Sequence, residues 1–400
     1  MQLKRFSVKG FKNFSQEIVL ENIGDICVIH GENNIGKSNV LEAMRLFFLF
    51  QDYSEFDLHE MNLGGGLEHV LKGNSFKISE IFTFGATNSI DISVTLGCQK
   101  NIEVTLEIFI QNNDSEFGIN VTHNSQSDTQ TSCLNHFFKK QFALIGVDRQ
   151  INDTETEKER CIVPQSLLLQ LHDIKDSPEP AIFDKWELFV STLQKFQDIL
   201  GEGEFISVFD RKSNRANLVF QPQIKPRRRI PLEILGSGIQ QIIALIARLL
   251  VNNADFIAIE EPELNLRYTL QLRLREILAE IVKAPVGPQQ LFLTSHSPAF
   301  ESGEHFYAMK ATDDGPIIEH RPIELAHLFT KQNTISSNLG ETAPQGYVTN
   351  DGLVKLPKDI CQELGVEQGG GIVILKRKDN NHVELLTDEQ YFDLLEMKNE

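Results

Sequence analysis

The octapeptide GENNIGKS, from Gly31 to Ser38, decides the fold because it matches G-x-x-x-x-G-K-[ST], the pattern of a phosphate-binding loop. The apolar residues 26–29 precede it as a buried strand, and residues 38–44 follow it with the spacing of a helix. Glycines let the backbone wrap closely around a phosphate, so that successive N–H groups and the helix N-terminus face the anion. The sequence therefore predicts a strand, a loop and a helix that bind a nucleoside triphosphate.

Two side chains of this loop have predicted chemical roles. In loops of this pattern Lys37 reaches the β- and γ-phosphates, and the hydroxyl of Ser38 ligates Mg²⁺. The alternative is a glycine-rich turn without a ligand, which the flanking strand and helix patterns disfavour. The expected cofactors are therefore ATP and Mg²⁺.

Three further motifs follow in the second half of the chain. Residues 235–241, LGSGIQQ, open an apolar helix. The apolar strand 255–259 ends in EEPE, residues 260–263, and the apolar strand 290–294 ends in SHSP, residues 295–298. Carboxylates at the C-terminal end of a strand are placed to hold Mg²⁺ and to polarise a water molecule.

The four motifs, in this order, resemble those of ATP-binding cassette ATPases, and more narrowly the ATPase heads of the RecF, SMC and OLD group. The N-terminal residues 3–14 are similar to the strand and basic-aromatic turn that begin such heads. The resemblance covers roughly residues 1–325 of the chain. It implies an α/β fold, that of a P-loop NTPase of ABC-ATPase type, with an antiparallel β-lobe and a helical lobe.

The resemblance also implies which side chains hold the nucleotide and the metal ion. The implied nucleotide cradle comprises Lys12, Gly31, Asn34, Gly36, Lys37, Ser38 and Asn39. Ser38 and Glu260 match the Mg²⁺ ligands, and Glu260 stands where such heads usually have Asp. Gln150, which follows the run 143–149, is the candidate for a glutamine that senses the metal ion after a central strand.

Glu261 and His296 match the catalytic residues of such heads. Glu261 would activate the attacking water, and His296 would contact the γ-phosphate. Ser237 and Gly238 match the signature that closes on the ATP of the opposite subunit, with the dipole of the following helix favouring the anion. The chain is therefore expected to form a head-to-head dimer with two ATP molecules at its interface.

Each of these residues also has a structural interpretation. Ser237 could cap its helix. His296, before Ser-Pro, could be an ordinary loop residue, and Glu260 with Glu261 could be a solvated pair at a strand end. The order of the motifs favours the functional interpretation.

The chain is predicted to contain an ATPase domain, a linker and a smaller C-terminal domain. The expected bounds are 1–325 for the ATPase domain (core 1–50 and 205–325, β-lobe about 76–122, helical lobe about 155–204), 326–344 for the linker and 345–400 for the C-terminal domain. Alternating apolar residues in 90–96 and 102–110 predict antiparallel strands with one solvated face. Residues 112–131, rich in Asn, Ser, Asp and Thr, are predicted to form a loop.

The C-terminal segment resembles a different fold. Between residues 345 and 386, an Asn-Asp-Gly turn, a short LPKDI helix and a glycine-rich turn into a strand are similar to the SpoVT/AbrB swapped-hairpin domain. In residues 341–400 acidic side chains outnumber basic ones by 12 to 6, which favours dimerisation or docking of a partner over DNA binding. Residues 388–397 are predicted to form a terminal amphipathic helix.

Composition and charge exclude several classes of protein. A chain of 400 residues with 41% hydrophobic content can bury a substantial core, and no apolar run approaches the roughly 18 residues that span a membrane. The net charge of −18 argues against a protein coated in nucleic acid, though not against a local basic groove. The scattered cysteines predict reduced thiols in the cytoplasm and no metal site: Cys27, Cys98, Cys133, Cys161 and Cys361.

Three classes of function compete. The favoured one is a dimeric ATPase that controls a separate effector, such as a nuclease or a toxin, in prokaryotic antiviral defence, since no nuclease motif follows His296. The second is a DNA-repair ATPase of RecF type, and the third is a DNA-binding regulator that acts through its C-terminal domain. The basic run 225–229, KPRRR, has two interpretations. It is either a solvated strand or loop, or a set of arginines that lies near the shared ATP site or on an edge that faces a nucleic acid.

Overall fold

The computed structural model of the chain describes residues 1–51, 71, 76–83, 89–98, 102–113, 116–123, 127–146, 163–223, 228–300, 305–313 and 315–321, with four short strands between residues 347 and 387. The chain divides into two compact units, Met1–Ile323 and Glu324–Glu400. Among the described residues, no helix is long and apolar enough to cross a membrane.

Strands and helices of the first unit are numbered in chain order. The strands are β1 Gln2–Lys9, β2 Ile18–Glu21, β3 Ile26–His30, β4 Ser89–Gly97, β5 Glu103–Asn113, β6 Glu116–His123, β7 Phe142–Ile145, β8 Gly203–Asp210, β9 Arg215–Pro222, β10 Ile230–Pro231, β11 Phe256–Glu260, β12 Gln290–Ser295, β13 Phe306–Thr312 and β14 Gly315–His320. The helices are α1 Lys37–Gln51, α2 Ile78–Ile81, α3 Asp128–Phe137, α4 Gln165–Lys175, α5 Pro180–Leu193, α6 Gln197–Leu200, α7 Ser237–Val251 and α8 Tyr268–Lys283.

A six-stranded sheet in the order β14-β13-β3-β12-β11-β7 carries the phosphate-binding loop. Its neighbouring strands from β13 to β7 pair in parallel, whereas β14 pairs antiparallel with β13. Ser295 lies opposite His30, and Thr294 lies opposite Glu260. Because parallel strands end at the same edge of a sheet, the residues that follow β3, β12 and β11 meet there.

The two faces of this sheet pack into two hydrophobic cores. On β11, Phe256 and Ala258 belong to the first core, which includes α1 and the antiparallel strands. Ile257 and Ile259 belong to the second core, which includes α4, α5, α7 and α8. Successive side chains of a strand point to opposite faces, so a continuous apolar run such as residues 256–259 serves both cores.

A second sheet, in the order β2-β1-β4-β5-β6, is antiparallel throughout. On β4 the alternate residues Ile90, Ile92, Val94 and Leu96 are buried, as the sequence pattern predicts. The predicted loop 112–131 is wrong, because β6 and the start of α3 lie in that range. Its polar composition fits an outer strand of the sheet, where hydrogen bonds to β5 hold the backbone.

A third sheet, β10-β9-β8, is separate from the six-stranded sheet and shares the second core with the helices α4 and α5. The side chain of His172 on α4 lies 3.0 Å, from Nδ1 to Oγ, from the buried Ser207 on β8. Lys175, on the same helix, donates to the Ser207 carbonyl at 3.0 Å. Polar contacts therefore add to apolar packing where the helices meet this sheet.

The side chain of Gln290 joins the first two sheets. It is fully buried at the start of β12, and its Oε1 accepts a hydrogen bond from the Leu3 N–H at 2.7 Å. Its Nε2 donates to the Leu3 carbonyl at 3.1 Å and to the Gly24 carbonyl at 2.7 Å. A buried amide is stabilised only when its polar atoms are paired, as they are here.

Gln290→Leu is therefore expected to lower the free energy of unfolding by about 2–4 kcal/mol, because it leaves buried backbone groups without partners. Urea denaturation measures the change. Gln111→Leu is the matched control, since Gln111 is exposed on β5, and its effect should stay within about 0.5 kcal/mol. Equal stability of the two variants would contradict the structural role of Gln290.

Two of the five cysteines are paired in the structure, contrary to the prediction of reduced thiols throughout. Cys98, after β4, and Cys133, on α3, form a disulfide with a Cα–Cα distance of 6.4 Å. Cys27 is free and buried, and burial raises the pKa of its thiol well above the usual range. Cys161 and Cys361 lie outside the described residues.

In the second unit the structure describes two antiparallel strand pairs. β15 (Tyr347–Val348) pairs with β16 (Val354–Lys355), and β17 (Ile372–Lys376) pairs with β18 (Val383–Thr387). The predicted helices at 356–360 and 388–397 lie outside the described residues.

Candidate active site

The loop between β3 and α1 turns through two residues with positive φ. Asn34 has φ 65° and Gly36 has φ 109°. Asn tolerates the left-handed region better than most residues, and glycine has no Cβ to clash there. A Cβ on Gly36 would also lie 2.6 Å from Nδ2 of Asn13. The local sequence thus allows the tight loop that comes before α1.

The side chain of Lys37, at the start of α1, folds back over this loop. The residue is 5% exposed, and its Nζ donates to the carbonyls of Gly31 at 2.8 Å and Glu32 at 2.7 Å. Burial lowers the pKa of Lys37, while the carboxylates of Glu261 and Glu263 act in the opposite direction. The ammonium therefore lies within the loop and within electrostatic reach of both glutamates.

Asn13, in the N-terminal turn, supports the loop, and it is not among the site residues predicted from the sequence. Its Nδ2 donates to the Ile35 carbonyl at 3.1 Å, and its Oδ1 accepts from Nδ2 of Asn39 at 2.7 Å. Its position in the basic-aromatic turn of residues 3–14 was the available signal. Asn39 thus supports the loop through Asn13.

Lys12, which was predicted to contact the nucleotide, forms an ion pair with Glu42 on α1. It has φ 49°, and its N–H donates to the Ile81 carbonyl at 2.7 Å. In this structure the charge of Lys12 faces helix α1.

The predicted metal and base carboxylates follow one another at the end of β11. Glu260 is the last residue of the strand and half-buried. Glu261 has φ 42°, and its N–H donates to the Thr294 carbonyl at 2.9 Å. A left-handed glutamate is a strained conformation of the kind that concentrates at functional sites. A Cβ on Gly146, after β7, would lie 3.4 Å from Oε2 of Glu260.

The edge strand β7 therefore ends beside Glu260. A central strand is expected before a metal-sensing glutamine, but β7 is the last strand of the sheet. Gln150, the candidate metal-sensing residue, lies outside the described residues.

His296 lies next to two glutamates. Its Nδ1 is 3.6 Å from the carboxylate of Glu261 and 3.4 Å from that of Glu263. The imidazole is 42% exposed, whereas the Glu263 side chain is 2% exposed. The parallel pairing of β11 with β12 brings these side chains together. Glu263, the last residue of the EEPE motif, is not among the predicted site residues, because its burial could not be read from the sequence.

Ser237 and Gly238 lie at the start of helix α7, in what we call the signature turn, and α7 is called the signature helix. Ser237 and the preceding Gly236 are open to solvent. Helix α7 begins at Ser237, and the capping position is Gly236, with no side-chain capping bond. Ser237 is exposed, and a Cβ on Gly236 would meet no atom within 4 Å. The interpretation of Ser237 as a helix cap is therefore not supported. Gln240 holds the turn from within, since its Nε2 donates to the Leu235 carbonyl at 2.7 Å.

The side chains placed to bind a metal ion offer oxygen atoms, which are hard donors. In the part of the chain that the structure describes, no three His, Cys, Asp or Glu side chains converge as a metal site. Ser38, in the first turn of α1, and Glu260 offer oxygen donors of the kind Mg²⁺ prefers, and Mg²⁺ commonly completes its shell with water and phosphate oxygens. The residues present therefore fit a metal ion that arrives with a nucleotide.

Parallel strands that deliver a phosphate-binding loop, two glutamates and a histidine to one edge define the class of P-loop ATPases. Residues 26–300 match a family described as "AAA domain, putative AbiEii toxin, Type IV TA system". The chain belongs to this AAA family, and it is an ATPase.

Three proteins of known name or structure to which this chain is similar are distant from it in sequence. A Helicobacter pylori protein named ATP/GTP phosphatase is 20% identical over 322 residues, which cover 73% of this chain and 85% of that protein. An Smc head bound to the C-winged helix domain of ScpA matches with TM-score 0.53 at 16% identity, covering 82% of this chain and 100% of that one. An SMC head domain from Thermotoga maritima matches with TM-score 0.49 at 14% identity, covering 81% and 100%.

The match to the ScpA-bound head shows that the fold of this chain is a mixed α/β fold similar to that of SMC ATPase heads.

Proposed function

We propose that the chain is the ATP-hydrolysing subunit of a homodimer that holds two nucleotides between its heads, and that closure of the dimer controls a separate effector. The effector would be a protein such as a nuclease or a toxin, in cytoplasmic antiviral defence of a prokaryote. The family description names a putative toxin of a Type IV TA system, which supports a role in a system of that kind. The Smc head that binds a domain of ScpA supports an ATPase head that acts through a partner.

Within one head, the proposed chemistry follows from the residues at the sheet edge. The loop from Gly31 to Asn39 holds the phosphates, and Lys37 offsets their charge. Ser38 and Glu260 would hold Mg²⁺, which would stabilise the charge on the phosphate oxygens. Glu261 polarises the attacking water as a general base.

The neighbouring groups complete the proposed site. His296, whose Nδ1 lies 3.6 Å from the Glu261 carboxylate, would contact the γ-phosphate. Gln150 is proposed as a further group near the metal ion, and Lys12 as one near the nucleotide once it leaves Glu42. The name of the Helicobacter pylori relative supports triphosphate hydrolysis and adds GTP as a second substrate to assay.

The exposed signature turn is the observation that carries the dimeric part of the proposal. Most of α7 is buried, yet its first residue, Ser237, and the preceding Gly236 and Ile234 (72% exposed) face solvent. The N-terminus of a helix presents unpaired N–H groups and a positive dipole end to an anion. Ser237 and Gly238 would therefore meet the phosphates bound by the partner head.

Ser237→Arg should leave ATP binding by the monomer intact and lower hydrolysis at least about 100-fold, because the signature serves the nucleotide of the partner. Mixing it in equal amounts with Lys37→Ala protein restores one complete site in each heterodimer. About a quarter of the wild-type rate should then return, since half of the dimers would carry one site. Phosphate release measures the rate.

The matched control is Ser213→Arg, a change at an exposed serine between β8 and β9, which should hydrolyse ATP at the wild-type rate. Normal hydrolysis by Ser237→Arg, or no recovery on mixing, would contradict the shared-site dimer.

The C-terminal residues 345–400 are proposed to form a swapped-hairpin domain that holds two chains together or docks the effector, after a linker at 326–344 and the ATPase domain 1–325. The two antiparallel strand pairs described there are compatible with such hairpins.

A second candidate function is direct binding of DNA in the ATP-bound state, as in repair ATPases of RecF type. Arg228 and Arg229 favour it, because both are exposed just before β10. ATP-dependent DNA affinity that falls with salt would support this candidate. Specific DNA binding by the full chain without ATP would instead support a regulator that acts through residues 345–400.

A further inference from the structure

Glu263 is a buried carboxylate inside the ATPase site. The residue is 3% exposed and lies in the turn between β11 and α8. Burial of a carboxylate is unfavourable unless hydrogen bonds satisfy it. Its Oε1 accepts from the Ser295 hydroxyl at 2.7 Å and from the His296 N–H at 2.9 Å. Oε2 has no hydrogen-bond partner among the described residues, so both of these hydrogen bonds, through Oε1, go to the segment that carries His296.

Further hydrogen bonds connect Ser295 through Ser297 and Gln271 back to the turn that contains Glu263. The Ser295 hydroxyl accepts from the Ser297 N–H at 3.0 Å, and the buried Ser297 hydroxyl donates to Oε1 of Gln271 on α8. The Nε2 of Gln271 donates to the Leu266 carbonyl at 2.8 Å, back in the turn that holds Glu263. The turn after β11, helix α8 and the segment after β12 are thus joined by hydrogen bonds.

The turn that contains Glu263 and the start of α8 also contact helix α7. A Cβ on Gly238 would lie 3.1 Å from Leu270 and 3.6 Å from Leu266, so α7 packs closely on the turn and first residues of α8. Leu270 precedes Gln271 directly, and Leu266 is the residue whose carbonyl Gln271 holds. A displacement of the signature turn would therefore move Leu266 and Leu270, and with them the side chain of Gln271.

We infer that Glu263, Ser295, Ser297 and Gln271, hereafter the Glu263 network, position His296 against Glu261 and couple it to the signature helix. The inference rests on the proposed catalytic role of His296. The network acts on the backbone and the imidazole of His296, so it sets the geometry of the reacting groups. Its loss should lower turnover, because a misplacement of about 1 Å at a reacting group can reduce the rate about 100-fold.

Ser297 is the residue of choice for the test. The Glu263 carboxylate also raises the pKa of Lys37, so replacing Glu263 would disturb nucleotide binding as well. Ser297 is 5% exposed and donates to a helical side chain. Ser207 is a matched control, because it is 4% exposed and also hydrogen-bonded to a helical side chain, that of His172.

The experiment compares Ser297→Ala and Ser207→Ala in the full chain by steady-state ATP hydrolysis and thermal unfolding. Ser297→Ala should lower kcat about tenfold to 100-fold with KM for ATP within about threefold. Ser207→Ala should keep kcat within about twofold, although its melting temperature falls by a similar amount. Equal kcat for the two variants would overturn the inference, since the network would then only stabilise the fold.

A double-mutant cycle with His296→Ala tests whether the network acts through the histidine. Adding Ser297→Ala to His296→Ala should cost less than about twofold in kcat if the pathway is shared. Losses that multiply would overturn the inference and leave the role of His296 intact. Wild-type turnover by His296→Ala alone would instead refute the proposed role of His296, and the inference with it.

Discussion

Lys37→Ala is expected to abolish nucleotide binding. The ammonium is buried in the loop, where it donates to the Gly31 and Glu32 carbonyls, and a bound triphosphate would bring several negative charges to the same place. Without the lysine the loop retains only N–H dipoles to offset that charge. The dissociation constant for ATP should rise at least about 100-fold, which corresponds to about 3 kcal/mol.

Titration with a fluorescent ATP analogue measures this loss. Lys185→Ala is the matched control. Lys185 is half-buried, burial lowers its pKa as it lowers that of Lys37, and its Nζ donates to Oδ1 of Asn253 at 2.9 Å, away from the loop. The control should bind the analogue like the wild-type protein. Unchanged affinity in Lys37→Ala protein with a normal circular dichroism spectrum would refute the assignment of the phosphate-binding loop.

Glu261→Gln should keep nucleotide affinity within about threefold and lower kcat about 10²- to 10⁴-fold, because an amide keeps the shape of the side chain but is not a base. The positive φ of residue 261 adds no difference in strain, since both side chains are unbranched at Cβ. In the proposed dimer, blocked hydrolysis should also trap the closed, ATP-bound form, which light scattering detects.

The control for this change is Glu280→Gln on α8, a carboxylate paired with Lys195 on the protein surface. Its turnover should match the wild-type value within about twofold, as expected for an exposed ion pair. Wild-type turnover by Glu261→Gln would mean that another group activates the water.

Some elements of the fold could be predicted because their signals are local. The strand before the loop, the glycines within it and the start of α1 at Lys37 lie within one short segment. The alternation of residues 90–96 predicted β4 in the same way, since a half-buried strand repeats every two residues. The loop predicted for 112–131 was wrong because polar composition does not separate a loop from an outer strand paired with β5.

The sequence by itself determined that this chain has a phosphate-binding loop, and that carboxylates and a histidine end two of its strands, because each motif is contiguous. Only the tertiary structure decided which groups support them. Asn13 reaches Ile35 across 22 positions, and Glu263 reaches Ser295 across 32. The pairing of Cys98 with Cys133 likewise spans 35 positions. Such contacts leave no periodic trace in the chain, since they depend on which strands become neighbours after the two cores have formed.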